Sequence, residues 1–180
     1  MLEDKRLVTE LKRGDKQALR WIYEKYKDNL LTVATSLLHD SCAAEDVLHD
    51  VFVSFTAGIG QLQLRGSLKN YLIMSVVNGV RDRFRKKKHQ VIRLEQVGPI
   101  SSESNGPEQS AVLNEQSQLL TAALAKLSLE QREVIILHLN GGMKFKEIAN
   151  VQGASISTVQ GRYRYGLSKL RTILNGELKR

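Results

Sequence analysis

Apolar residues recur along this chain at intervals of three and four, and no segment shows the strict alternation of a strand. In ALRWIYEKYKDNLLTVATSLL, Leu19, Ile22, Tyr23, Tyr26, Leu30, Val33 and Leu37 fall on one helical stripe. DSCAAEDVLHDVFVSFTAGI aligns Ala44, Val47, Leu48, Val51, Phe52 and Phe55 in the same way. After a break at Gly58–Gly66, SLKNYLIMSVVNGVRDRFRKKK repeats the pattern through Leu68, Tyr71, Leu72, Ser75, Val76 and Val80. Further on, LNEQSQLLTAALAKL, SLEQREVIILHL, KFKEIANV and SISTVQGRYRYGLSKLRTIL read as helices, with Ser128 and Gln131 spaced as a capping box. The fold class predicted is all-α.

The stretch between these two groups, QVGPISSESNGPEQSAVLNE, holds both prolines, no basic residue and three acids. Such a composition buries little and reads as a flexible tether. It predicts two small helical domains, 1–95 and 116–180, joined by a linker over 96–115 that does not fix one against the other. Within the second, KFKEIANV and SISTVQG are joined by QGA, the spacing of a helix-turn-helix.

Composition narrows the partners. The 180 residues are 42% hydrophobic, enough for two real cores. Lys and Arg number 27 against 19 acids, a net charge of +8, which favours a polyanion: nucleic acid or an anionic membrane surface. No run approaches the roughly 20 apolar residues that span a bilayer. The N-terminal MLEDKRLVTELKRGD is too charged for a signal peptide. A cytoplasmic protein without membrane insertion is expected. One cysteine, Cys42, allows neither an internal disulfide nor a multi-cysteine metal site. The four histidines have no paired nucleophile and there is no glycine-rich phosphate loop, so neither enzyme chemistry nor a cofactor is expected.

The last helix carries the sharpest signal. With Ser155 as N-cap accepting from the Thr158 amide, Val159, Tyr163, Gly166 and Leu170 share the inward face. The outward face then presents Ser157, Gln160, Gly161, Arg164 and Ser168, flanked by Thr158, Arg162, Tyr165 and Lys169. It contains no acid. Hydroxyls, an amide and guanidinium groups are what reads base edges and grips phosphates in a major groove.

Together with this helix, AAEDVLHDVFVSF (43–55), LKNYLIMSVVNGVRDRFRKKK (68–88) and LSLEQREVIILHLNGGMKFKEIANVQGASISTVQGRYRYGLSKLR (127–171) resemble the bacterial sigma factors of the extracytoplasmic-function group. The three segments stand in that family's order, with its weak linker in the expected place. The resemblance implies a non-catalytic subunit that joins RNA polymerase core enzyme. Its first domain would read and melt the −10 promoter element, and its second would bind the −35 element. It also implies an anti-sigma partner that clamps the two domains together.

Carried onto this chain, the resemblance makes Glu45, Asp46, His49 and Asp50 a docking face for the polymerase. They form one polar helix face opposite Val47, Val51 and Phe55, and an acidic face on a basic protein suits a protein partner. A metal shared by Glu45 and His49 would need ligands that no neighbouring cluster supplies. The run Arg81, Arg83, Arg85, Lys86, Lys87 and Lys88 follows a helix bearing Lys69, Asn70 and Asn78, and reads as a phosphate-neutralising track. The family holds a flipped −10 base in the loop before that helix. Here the loop is GQLQLRG, where Gln61, Gln63 and Arg65 offer hydrogen bonds to a base edge.

Three departures from the pattern are Tyr71 for a common Trp, Gln160 for a frequent Lys and Gly166 for a frequent Ala. The last costs roughly 1 kcal/mol of helix propensity. The alternative is a two-domain helix-turn-helix regulator acting without polymerase, since LEQREVIILHLNGGMKFKEIA (129–149) also resembles response-regulator output domains. Residues 1–95 lack the βα alternation of a receiver.

Overall fold

The computed structural model describes residues 2–64, 66–95 and 115–177, and the side chains of 88–95, 115–117 and 177 are not considered. The tether over 96–115 therefore lies almost wholly outside the described residues, as does Arg65. Every regular element described is helical: α1 (Leu2–Lys12), α2 (Lys16–Leu38), α3 (Ser41–Gly58), a 3-10 turn (Ile59–Gln61), α4 (Leu68–Glu95), α5 (Glu115–Ala125), α6 (Leu129–Leu139), α7 (Phe145–Gln152) and α8 (Ile156–Glu177).

Caps written in the sequence set the helix ends. Asp15 accepts from the Gln17 amide at 2.8 Å and Asp40 from the Ala43 amide at 2.9 Å, starting α2 and α3. Between them His39 takes the left-handed conformation (φ 57°) and closes α2 through its amide to Thr35 O. Ser128 accepts from the Gln131 amide at 3.3 Å, which is one half of the expected capping box.

The first unit packs α2, α3 and α4 around the predicted stripes. All six positions read for α3 are buried, as are Ile22, Leu30, Val33 and Leu37 of α2 and Leu68, Leu72, Val76 and Val80 of α4. Tyr23 instead lies at the stripe's edge, 39% exposed, with its ring edge-on to Phe52. Helix α1, not anticipated, lies on α2. Leu7 and Val8 enter the core, and Asp4 is buried with its carboxylate held by the Tyr26 hydroxyl and by Lys25.

Helix α6 departs from amphipathic patterning. Arg132, Glu133, Val134, Ile135, Ile136 and Leu137 are consecutive and all buried. A helix buried on all sides must be covered on all sides. Here α7 and α8 cover one side, while α2 and α4 of the first unit cover the other. The apolar side chains of both units consequently form one continuous core.

Candidate nucleic-acid and polymerase interfaces

The pair α7–α8 forms the helix-turn-helix. Glu147 caps α7 by accepting from the Lys144 amide at 2.7 Å. Gly153, with φ 59°, supplies the left-handed residue that ends it, and the Ala154 amide bonds back to Ala149 O at 3.0 Å. Ser155 then accepts from the Thr158 amide at 3.1 Å, as expected, and opens α8. The rings of His138, Phe145 and Tyr163 pack within 4.5–5.2 Å of one another, fixing α6, α7 and α8 together.

The inward and outward faces of α8 divide as the sequence predicts. Val159 and Gly166 are buried, while Tyr163 and Leu170 are half-buried. At Gly166 α8 lies close against α6: a Cβ there would stand 3.0 Å from Ile135 Cδ1 and 3.3 Å from Gln131 Cβ. Ser157, Thr158, Gln160, Arg164, Tyr165 and Lys169 are exposed, and a Cβ on Gly161 would meet nothing within 4 Å. Arg162 is different. Its Nη1 donates to Gln152 Oε1 at 2.8 Å, so it is tied back to α7.

Glu45, Asp46, His49 and Asp50 are all exposed, but α3 turns them to two sides. Glu45 and His49 line a groove against α2 with Tyr23, Lys27 and Phe52. Asp50 lines the broader groove between α3 and α4, facing Asn78, Arg83 and Lys86. Asp46 pairs with Arg83 at 2.8 Å. Among the described residues no group of three or more His, Cys, Asp or Glu is placed to hold a metal ion.

The cations of α4 do not form one exposed track. Arg85 pairs with Asp82 at 2.7 Å, and Lys86 and Lys87 are exposed. Gln61 and Gln63 are exposed in the loop before α4. Three of the residues read for the −10 element instead point at the second unit. Asn70 Nδ2 donates to Glu147 Oε1 at 2.6 Å, and Lys69 Nζ lies beside Gly142. Arg81 forks onto Glu133, Nε to Oε1 at 2.7 Å and Nη2 to Oε2 at 2.6 Å, and its Nη1 donates to Val151 O at 3.0 Å. The hydrogen bond to Glu133 holds the Arg81 pKa above its ordinary value, outweighing burial.

A second cation also joins the units. Arg132 is buried and donates to Leu37 O at the end of α2 and to Leu124 O and Ala125 O at the end of α5, each at 3.0 Å. Burial lowers its pKa, and the carbonyl-rich ends of two helices are what stabilise the charge.

Two family models match this arrangement: sigma-70 region 2 over residues 22–90 and sigma-70 region 4 over 117–170. They correspond to α2–α4 and to α5–α8. The chain belongs to the sigma-70 family of RNA polymerase sigma factors. Its relatives place it in the extracytoplasmic-function group. It is 26% identical to the RNA polymerase sigma factor CnrH of Cupriavidus metallidurans, over 97% of this chain and 95% of CnrH. It is 25% identical to the sigma factor SigW of Bacillus subtilis, over 93% and 94%. In fold it matches CnrH in complex with the cytosolic domain of CnrY, with a TM-score of 0.70 at 22% identity over 97% of this chain and 98% of that one. It also matches the sigma factor RpoE of Bartonella quintana in complex with the anti-sigma factor NepR, with a TM-score of 0.68 at 26% identity over 91% and 98%.

Proposed function

We propose that this chain joins RNA polymerase core enzyme and directs initiation at specific promoters, as a cytoplasmic, non-catalytic subunit. The observation that carries the reading is the outward face of α8. It is exposed, acid-free and mounted on a helix-turn-helix. Arg164, Gln160 and Ser157 are the base readers of the −35 element, and Thr158, Gly161, Arg162, Tyr165 and Lys169 its phosphate and groove contacts.

Residues 1–95 form the polymerase-binding and −10 domain, and residues 116–180 the −35 domain. Glu45, Asp46, His49 and Asp50 dock the polymerase. Gln61, Gln63, Arg65, Lys69, Asn70, Asn78, Arg81, Arg85 and Lys86 serve the −10 element. An anti-sigma protein is a further partner, supported by the solved RpoE of Bartonella quintana, which is bound to the anti-sigma factor NepR. No described helix is long and apolar enough to cross a membrane. The test is transcription in vitro with core enzyme and a library of random promoters. Enrichment of two short elements at fixed spacing is expected. DNA binding without any polymerase-dependent transcript would instead support a free-standing helix-turn-helix regulator.

A further inference from the structure

Gln152 is the last residue of α7, and both polar atoms of its side chain are bonded. Nε2 donates to Glu130 O at 2.9 Å and to Glu133 Oε2 at 3.1 Å, while Oε1 accepts from Arg162 Nη1 at 2.8 Å. The two acceptors on α6 fix which way the carboxamide faces. Turned over, its oxygen would meet a carbonyl and a carboxylate, neither of which can donate, so Oε1 is committed to Arg162. Glu133 is only 1% exposed, which makes the anchor on α6 a rigid one. One side chain thus connects α6, α7 and α8, immediately before Gly153 turns the chain from α7 toward α8.

Arg162 ends this series of bonds. It lies on the flank of α8 that also carries the exposed Thr158, Tyr165 and Lys169. Only Nη1 is engaged: among the described residues its Nε and Nη2 make no hydrogen bond or ion pair. We infer that Gln152 is a positioning residue for the −35 contact, holding the Arg162 guanidinium by one nitrogen while the other two stay free to donate to a backbone phosphate. An untethered arginine gives up several rotatable bonds when it binds, whereas a guanidinium already held at one end gives up few. The neutral amide suits this role. A carboxylate at position 152 would orient the guanidinium equally well but would cancel its charge and repel the phosphate. The half-burial of Arg162, which sets it apart from exposed Arg164, is therefore support for the DNA contact and not a withdrawal from it.

This inference rests on the proposed reading of Arg162 as a phosphate contact, and the test separates the two. The full chain and its Gln152→Met, Arg162→Ala and doubly substituted variants are titrated onto a short fluorescein-labelled, mixed-sequence DNA duplex, read by anisotropy across a salt series. A phosphate contact is indifferent to sequence, so this probe suffices. Arg162→Ala is expected to weaken binding and lower the salt slope by about 1. Gln152→Met keeps the side chain's length and removes its polar atoms. It is expected to weaken binding roughly threefold to tenfold with the slope unchanged, the cost of ordering one long side chain. Once Arg162 is alanine, it should weaken binding no further. Equal losses from Gln152→Met in both backgrounds would overturn the positioning role and leave Arg162 as a phosphate contact. Unchanged affinity and slope on Arg162→Ala would overturn both. An independent readout needs no substitution at position 152: nitrogen-15 relaxation at the arginine Nε atoms of the unaltered chain. Arg162 should show an order parameter above about 0.6 and exposed Arg164 one below it. Equal mobility of the two would overturn the tether.

Discussion

The hydroxyl of Tyr26 donates to Asp4 Oδ1 at 2.7 Å in the core, tying the first turn of the N-terminal helix to the middle of α2. Burial and this bond push the Tyr26 pKa up to about 12. Burial alone would raise the Asp4 pKa, but the bonds from Tyr26 and Lys25 outweigh it and hold the carboxyl below its usual range. Tyr26→Phe keeps the ring's packing and removes only the donor. It should cost about 1–2 kcal/mol in urea unfolding, the value of a hydrogen bond to a partly neutralised charge. A loss below about 0.3 kcal/mol would show that Lys25 alone satisfies Asp4.

His39 makes stability depend on acid. Burial and the neighbouring Arg132 lower its pKa from 6.5 to about 4, and its Nε2 is buried without a hydrogen-bond partner among the described residues. The unfolded chain takes up a proton near 6.5 while the folded one resists until about 4. The stabilisation is therefore complete above 6.5 and lost across that window as pH falls, on the order of 1–3 kcal/mol. His39→Asn, which also tolerates the left-handed backbone, should flatten that slope in denaturant melts at successive pH values. An unaltered slope would assign the acid sensitivity to carboxylates.

For the polymerase face, the pairing of Asp46 with Arg83 makes Asp46 a poor probe, since reversing it also disturbs α4. Glu45→Arg with Asp50→Arg touches both edges of α3 and breaks no ion pair among the described residues. Pull-down of core enzyme should be lost while circular dichroism is unchanged. Retained pull-down would remove the docking role from α3.

On α8, Arg164→Ala should cost about 1–3 kcal/mol and relax preference at one −35 position. Lys169→Ala should weaken all sequences alike and lower the salt slope by about 1. Uniform weakening by Arg164→Ala would move base reading to Gln160.

Gly166→Ala tests the approach of α8 to α6. The helix-propensity gain of about 1 kcal/mol is opposed by Ile135 Cδ1 and Gln131 Cβ, which would both have to yield. Calorimetry should show a change within about 1 kcal/mol, whereas Gly166→Val should destabilise by about 2 kcal/mol or more through overpacking. A stabilising valine would mean the contact is loose.

Much of this fold could be read from local periodicity. Each of α2, α3 and α4 buries one stripe, and a single buried stripe leaves a period near 3.6 in the sequence. Helix α1 is harder to read because six of its eleven positions are charged, although Leu7, Val8 and Leu11 mark an apolar edge. The contact between the two units is illegible in the sequence for a deeper reason. Arg81 and Glu133 stand 52 positions apart, and no periodicity links residues across a tether. One signal was present: the unbroken run VIIL at 134–137 is too apolar for a one-sided helix and announces a second cover. The same long-range geometry explains why Asn70 and Arg81, read as exposed DNA contacts, instead face acids of the other unit.

The partition of α8 has an evolutionary corollary. Apart from Arg162, which is tied to α7, the side chains that fasten this helix and those that meet solvent are separate sets, and Gly161 leaves open space where a larger residue would stand. Substitutions at positions 157, 160, 161 and 164 therefore carry almost no folding penalty. A duplicated copy of this chain is free to drift toward new −35 sequences one residue at a time, while remaining a competent competitor for the same polymerase.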